Sequence, residues 1–198
     1  MARQLVLATG NRGKARELQA LLGGGFEVLL QSELGIEPIE ETGVSFAENA
    51  LLKARHAAAA TGLPALADDS GLEVDALDGA PGVWSARYAG PDASDAENIA
   101  RLLAELANVP DAHRGARFRC VLAWLRSADD PAPVLVTGVW EGRIARQPLG
   151  QQGFGYDPVF IDPASDRTAA ELSPQIKNAR SHRGEALRKL ATFLAAEA

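Results

Sequence analysis

Gln4-Leu5-Val6-Leu7-Ala8-Thr9-Gly10-Asn11-Arg12-Gly13-Lys14 starts as an apolar run and turns polar within one residue. The apolar part, residues 4–8, predicts a buried strand, and residues 9–13 predict a loop. Leu18, Leu21 and Leu22 then share one helical face, so a helix is expected over about 14–22, ended by Gly23-Gly24-Gly25. Phe26-Glu27-Val28-Leu29-Leu30 predicts a second strand. Strand, loop, helix and strand in this order open an α/β sheet.

The same reading extends along the chain. Ser45-Phe46-Ala47-Glu48 has the spacing of a capping box and begins an alanine-rich helix that Gly62 closes. Ala65-Leu66-Ala67 predicts a third strand ending at Asp68-Asp69-Ser70-Gly71, and residues 73–77 predict a short edge strand. Ala80-Pro81-Gly82 reads as a turn, and residues 85–88 as extended or irregular. Ser94-Asp95-Ala96-Glu97 repeats the capping box ahead of Ile99, Leu102, Leu103 and Leu106 at helical spacing. Residues 118–125 and 134–140 flank Asp129-Asp130-Pro131 and predict a hairpin, a candidate second lobe. A strand over 159–161, a helical turn from Ser173-Pro174 and a last helix from Ser181 or His182 complete the pattern. Trp84, Trp124 and Trp140 read as core or hairpin packing, and Cys120 as a small buried hydrophobe. The sum is one mixed α/β domain over residues 1–198.

Composition bounds the function. At 198 residues and 46% hydrophobic content the chain can bury a sizeable core. A net charge of −6 argues against a wide basic face for nucleic acid. An anionic small molecule then needs local cations or a metal. The single cysteine forms no internal disulfide, which fits a reducing, cytoplasmic setting. No apolar run approaches the roughly 18 residues of a membrane span, and the start is unlike a signal peptide.

Five segments carry candidate chemistry. Thr9-Gly10-Asn11-Arg12-Gly13-Lys14 joins a strand to a helix start, where backbone N–H groups, the helix dipole and Lys14 suit phosphate. It lacks the spacing of a P-loop, and from this segment alone an ordinary loop with a solvated lysine is the favoured reading. Asp68-Asp69 at a strand end offers oxygen ligands for a hard cation such as Mg²⁺, with a plain turn as the alternative. Glu40-Glu41 precede Asn49 and Lys53, which lie four apart on one helix face; solvated side chains explain them as well. Gly153-Phe154-Gly155-Tyr156-Asp157-Pro158 sets an aromatic between glycines, fit either to stack on a base or to enter the core. Lys177 and Ser181-His182-Arg183-Gly184 bring cations and donors to a helix start, for an anion, a ring oxygen or a structural role.

Together these segments resemble the Ham1/RdgB family of inosine/xanthosine triphosphate pyrophosphatases. Ala8 to Lys14, Glu40-Glu41-Thr42-Gly43, Phe46-Ala47-Glu48-Asn49-Ala50, Ala67 to Leu72, Pro81-Gly82, Ser85-Ala86-Arg87-Tyr88, Gly153 to Pro158 and Ser181 to Gly184 occur in the family's order. The resemblance spans about residues 4–194. It implies a central mixed sheet with flanking helices, two lobes with a substrate cleft between them, a homodimer and a Mg²⁺-dependent reaction. The implied reaction cleaves ITP, dITP and XTP to the monophosphate and pyrophosphate, keeping these nucleotides out of DNA and RNA.

Carried over by motif, Thr9, Gly10, Asn11, Arg12, Gly13 and Lys14 cradle the triphosphate and Asp69 is the catalytic acidic residue beside the metal. Glu40 or Glu41 completes the metal environment, with the choice open. Lys53, Ser70, Phe154, Gly155, Tyr156, Asp157, Lys177, His182 and Arg183 line the nucleotide site. A donor from the His182-Arg183 segment is expected to donate to the purine O6, while residues 154–157 disfavour a C2 amine. Two residues depart from the family pattern: Gln175-Ile176 stands where an acidic residue commonly precedes Lys177, and Arg180 replaces an apolar residue. Rival readings are a pyrophosphatase of other base choice, like the related Maf family, a non-catalytic nucleotide binder and a metal-dependent nuclease.

Overall fold

Leu5, Val6, Leu7 and Ala8 are at most 1% exposed, so the first apolar run is a strand covered on both faces. A computed structural model describes residues 3–22 and 26–196. The expected helix stop at Gly23-Gly24-Gly25 lies outside the described residues. The strands are β1 (Arg3–Ala8), β2 (Phe26–Leu30), β3 (Ala65–Val74), β4 (Gly115–Leu125), β5 (Val134–Ile144), β6 (Phe160–Asp162) and β7 (Arg167–Thr168). The helices are α1 (Arg12–Leu22), α2 (Phe46–Thr61), α3 (Asp95–Glu105), α4 (Pro174–Arg180) and α5 (His182–Ala196).

All seven strands form one mixed sheet in the order β2-β1-β3-β4-β5-β6-β7. β1 pairs parallel with β2 (Leu5 opposite Val28) and with β3 (Ala8 opposite Ala67). β5–β6 and β6–β7 are antiparallel. The mixed α/β class expected from the sequence is therefore observed.

The chain divides into two compact units, each with its own apolar core. The first holds Met1–Asp69, Cys120–Gly138 and Arg183–Ala198. Leu5, Leu7, Leu18, Leu66, Leu122 and Leu187 pack in its core. The second holds Ser70–Arg119 and Val139–His182, with Leu72, Leu102, Phe118, Trp140, Tyr156 and Phe160 in its core. The hairpin is thus no lobe of its own: residues 120–138 belong to the first unit and its flanks to the second.

Local signals fixed most boundaries. Ser45 caps α2 by accepting from the Glu48 N–H, and Gly62 closes the helix with φ 69°. The Glu48 carboxylate accepts from Val44 N, so only half of the capping box forms there. Around α3 both halves are present, between Ser94 and Glu97.

Several expectations fail for identifiable reasons. α1 begins at Arg12, two residues early, because Asn11 caps it: Asn11 Oδ1 accepts from Gly13 N at 2.8 Å and Lys14 N at 3.1 Å. β3 does not stop at Asp68 but runs ten residues. The Asp-Ser-Gly turn signal loses because both carboxylates bond to cations instead of to nearby backbone. Residues 75–77 form a 3₁₀ turn, not an edge strand, and residues 82–87 another. The last predicted strand shifts by one residue, to Phe160–Asp162. Trp84 is not core: it is 58% exposed, with the Arg87 guanidinium 4.6 Å from its ring centre.

One buried cation holds the second unit together. Arg114 is 2% exposed and donates to three carbonyls: Ile144 O at 2.9 Å, Leu106 O at 2.6 Å and Ala145 O at 2.8 Å. It caps the end of α3 and ties it to the end of β5. Burial lowers its pKa, yet an arginine stays charged at any working pH.

Candidate active site

In the first unit, the carboxyl end of β1 sets the position of the acidic pair. β1 stops at Ala8, opposite Ala67, so Asp68 and Asp69 lie just past that end although they are inside β3. Neighbouring strand residues face opposite ways, and the two carboxylates accordingly meet different cations.

Asp68 is 1% exposed and accepts from Lys14, Arg183 and Cys120. Lys14 Nζ lies 2.6 Å from Oδ1, while Arg183 Nε at 2.9 Å and the Cys120 thiol at 3.0 Å both reach Oδ2. Burial alone would raise its pKa, but Arg183 and Lys14 outweigh that and hold the carboxyl well below the usual range. Asp69 is 5% exposed and accepts from Lys53 Nζ at 2.9 Å through Oδ1. Its Oδ2 is buried with no hydrogen-bond partner among the described residues. Burial pushes the Asp69 carboxyl up, and Lys53 and Lys14 offset this only in part.

Lys53 also donates to Glu41 Oε1 at 2.7 Å. Burial works against its charge, but Asp69 and Glu41 together raise its pKa. Of the pair left open by the sequence, Glu41 is the member that shares a cation with Asp69, while Glu40 is exposed. Asn49 fixes the approach of this segment, because its Oδ1 accepts from Gly43 N at 2.8 Å. A Cβ on Gly43 would stand 2.6 Å from that oxygen, so the loop needs glycine there.

The loop after β1 differs from expectation. The N–H groups of Gly13 and Lys14 go to Asn11, and Asn11 N donates to Thr9 Oγ1 at 3.2 Å. These donors are already partnered within the loop. What the segment offers an anion is the positive helix end, Lys14 and the exposed Arg12.

The second unit carries the aromatic loop. Asp157 is 3% exposed, and its Oδ2 accepts from Phe154 N at 2.8 Å and Lys177 Nζ at 2.5 Å. A Cβ on Gly153 would fall 2.0 Å from that oxygen, which explains one glycine of the motif. Lys177 Nζ sits 4.9 Å from the Phe154 ring centre. Gly155 N donates to Asp95 Oδ2 at 2.6 Å, with Gly155 at φ 58°. Tyr156 is buried and donates to Ser85 O at 2.9 Å, so it supports the loop from the core. The His182 ring is buried and stacks on Phe118 at 4.9 Å. Beside Phe154 lies a cavity of about 590 Å³ lined by Ile99, Leu103, Pro148 and Gly150 among others, within the usual size range of ligand pockets.

Both departures from the family pattern find partners. Lys177 pairs with Asp157, so it needs no acidic residue at position 175 or 176. Arg180 reaches the buried Asp162 at 2.5 Å. Arg183 corrects an expectation: it is 2% exposed and bound to Asp68 and Glu17, so its side chain is committed inside the first unit and is not presented to a base.

Sequence reading missed Glu17, Ser85, Asp95 and the role of Cys120. Glu17 lies three residues after Lys14 on α1, a helical neighbour that the spacing alone exposes. Nothing local announces the contacts of Ser85 with Tyr156, Asp95 with Gly155 and Cys120 with Asp68, each of which spans more than 45 residues.

The model of the Ham1 family matches residues 5–193. The chain is 62% identical to the dITP/XTP pyrophosphatase of Yersinia pseudotuberculosis, over 93% of this chain and 94% of that protein. It is 57% identical to the dITP/XTP pyrophosphatase of Escherichia coli O157:H7, over 94% and 95%. The structure of a HAM1 protein from Coxiella burnetii superposes with a TM-score of 0.89 at 52% identity, covering 98% of this chain and 99% of that one. The Staphylococcus aureus Ham1 protein gives 0.87 at 40% identity, covering 99% and 100%. This chain belongs to the Ham1 family.

Proposed function

We propose that this protein hydrolyses non-standard purine nucleoside triphosphates, dITP, XTP and ITP, to the monophosphate and pyrophosphate. The names of its relatives support the reaction and the substrate class. The observation that carries it is Asp69: a buried carboxylate with one oxygen on Lys53 and the other without a hydrogen-bond partner among the described residues. Such an oxygen suits a proton acceptor, and burial raises its affinity for the proton.

The donor set fits Mg²⁺. Glu41 and Asp69 supply two carboxylates around one ammonium, the oxygen chemistry that a hard cation prefers. Mg²⁺ commonly binds through one or two carboxylates and completes its shell with water and substrate phosphates. In this reading Asp69 and Glu41 hold it, and when bound it supplies charge neutralisation on the triphosphate.

The residues of the chain do the rest. Lys14 and the N-terminus of α1 hold the phosphates, which carry about four negative charges near neutral pH. Asp69 Oδ2 takes the proton of a water whose oxygen bonds to the α-phosphorus. The bond from that phosphorus to the oxygen bridging to the β-phosphate breaks, and pyrophosphate leaves with that oxygen. No covalent enzyme intermediate is needed, and Cys120 stays a protonated thiol: burial and Asp68 push its pKa well up. Within the second unit, Phe154 is an aromatic ring of the kind that stacks on a base, and Lys177 and Asp157 fix its loop.

Hydrolysis of dITP in ¹⁸O-water tests the bond cleaved. The label is expected in dIMP, with unlabelled pyrophosphate. Label in inorganic phosphate, or dIDP as product, rejects the reaction.

A further inference from the structure

Asp68 draws donors from three separate elements. Lys14 comes from α1, Cys120 from β4 and Arg183 from α5. Arg183 and Cys120 converge on Oδ2, which leaves Oδ1 directed at Lys14. With fewer restraints a carboxylate turns about its Cβ–Cγ bond, whose torsion is broad. The Lys14 ammonium, on a flexible four-carbon stem, would turn with it. Cys120 is 0% exposed and Asp68 is 1% exposed, so no bulk water competes for this weak donor.

We propose that Cys120 is a positioning residue of the triphosphate site: its thiol proton fixes the Asp68 carboxylate, and Asp68 in turn sets the Lys14 ammonium. The proposal rests on the phosphate role of Lys14 given above. It differs from a packing role, in which only the volume of the side chain matters. Serine keeps the donor, alanine removes donor and volume, and valine fills the volume without a donor.

The test compares Cys120→Ser, Cys120→Ala and Cys120→Val with the wild type. It reads kcat and KM for dITP, and the affinity for inorganic tripolyphosphate in metal-free buffer by calorimetry. Cys120→Ser is expected within about twofold of wild type. Cys120→Ala and Cys120→Val are each expected to lose about fivefold in kcat/KM, through KM, and a similar factor in tripolyphosphate affinity, the size of one ordinary hydrogen bond. In a Lys14→Ala background, adding Cys120→Ala should change neither quantity, because the pathway runs through that lysine.

Wild-type values for the folded alanine variant overturn the proposal. So does a loss that serine fails to rescue, a loss that persists undiminished without Lys14, or a wild type that binds no tripolyphosphate. If valine prevents folding, alanine and serine decide. A wild type that binds tripolyphosphate but does not hydrolyse dITP refutes the functional reading alone, and the binding arm then judges Cys120.

Discussion

Asp69→Asn is expected to lower kcat for dITP at least a hundredfold, a barrier increase of about 2.7 kcal/mol, while the protein stays folded. The exchange is nearly isosteric, and Lys53 keeps its bond to Glu41. What disappears is the basic oxygen at Oδ2. The sign of the pKa shift predicts the stability effect. Because the folded pKa of Asp69 is raised above its ordinary value, its contribution is greatest at low pH and is lost as pH rises through the folded pKa. At pH 7 a neutral amide therefore gives an unchanged or higher Tm. Retention of more than about a tenth of kcat would remove Asp69 from the role of base.

Asp68→Asn should act on stability instead. It leaves Arg183 and Lys14 facing a neutral group in a fully buried position. Breaking one side of such a pair typically costs about 3–5 kcal/mol. In a chain of this size that is a Tm decrease of roughly 10 °C. The folded pKa of Asp68 is depressed, so its contribution is complete above the ordinary value of 3.8 and is lost as pH falls through the lower folded value. Urea unfolding of wild type and variant should show a constant gap from pH 7 down to about 4 and a narrowing gap only below that. A gap under about 1 kcal/mol at pH 7, or one that closes between pH 7 and 5, contradicts the assignment.

The two aspartates show what the sequence could and could not reveal. Apolar runs, caps and glycines announce β1, α2 and α3 because their causes lie within four residues. The strand through Asp68-Asp69-Ser70-Gly71 is illegible locally, since cations from positions 14, 53 and 183 overrule its turn chemistry. How the motif residues divide their contacts could not be read from the sequence. Arg183 and Lys177 read alike as site cations. The structure buries the first against Asp68 and Glu17 and places the second against Asp157 and the Phe154 ring. Asn11 read as a polar member of the phosphate loop, and its side chain caps α1. Glu40 and Glu41 were inseparable until Lys53 chose between them.

Base choice is the most direct test of the proposed function. Hypoxanthine and xanthine present an oxygen at C6 where adenine has an amine, and they lack the C2 amine of guanine. A site that satisfies the oxygen with a hydrogen-bond donor leaves a buried group unpaired when the amine arrives, which permits strong discrimination. The measurement is kcat/KM for dITP, XTP, dATP and dGTP under one set of conditions with Mg²⁺, following pyrophosphate release. The account predicts dITP and XTP at least about a hundredfold ahead of dATP and dGTP. Comparable values for all four would contradict it and leave a general nucleotide pyrophosphatase.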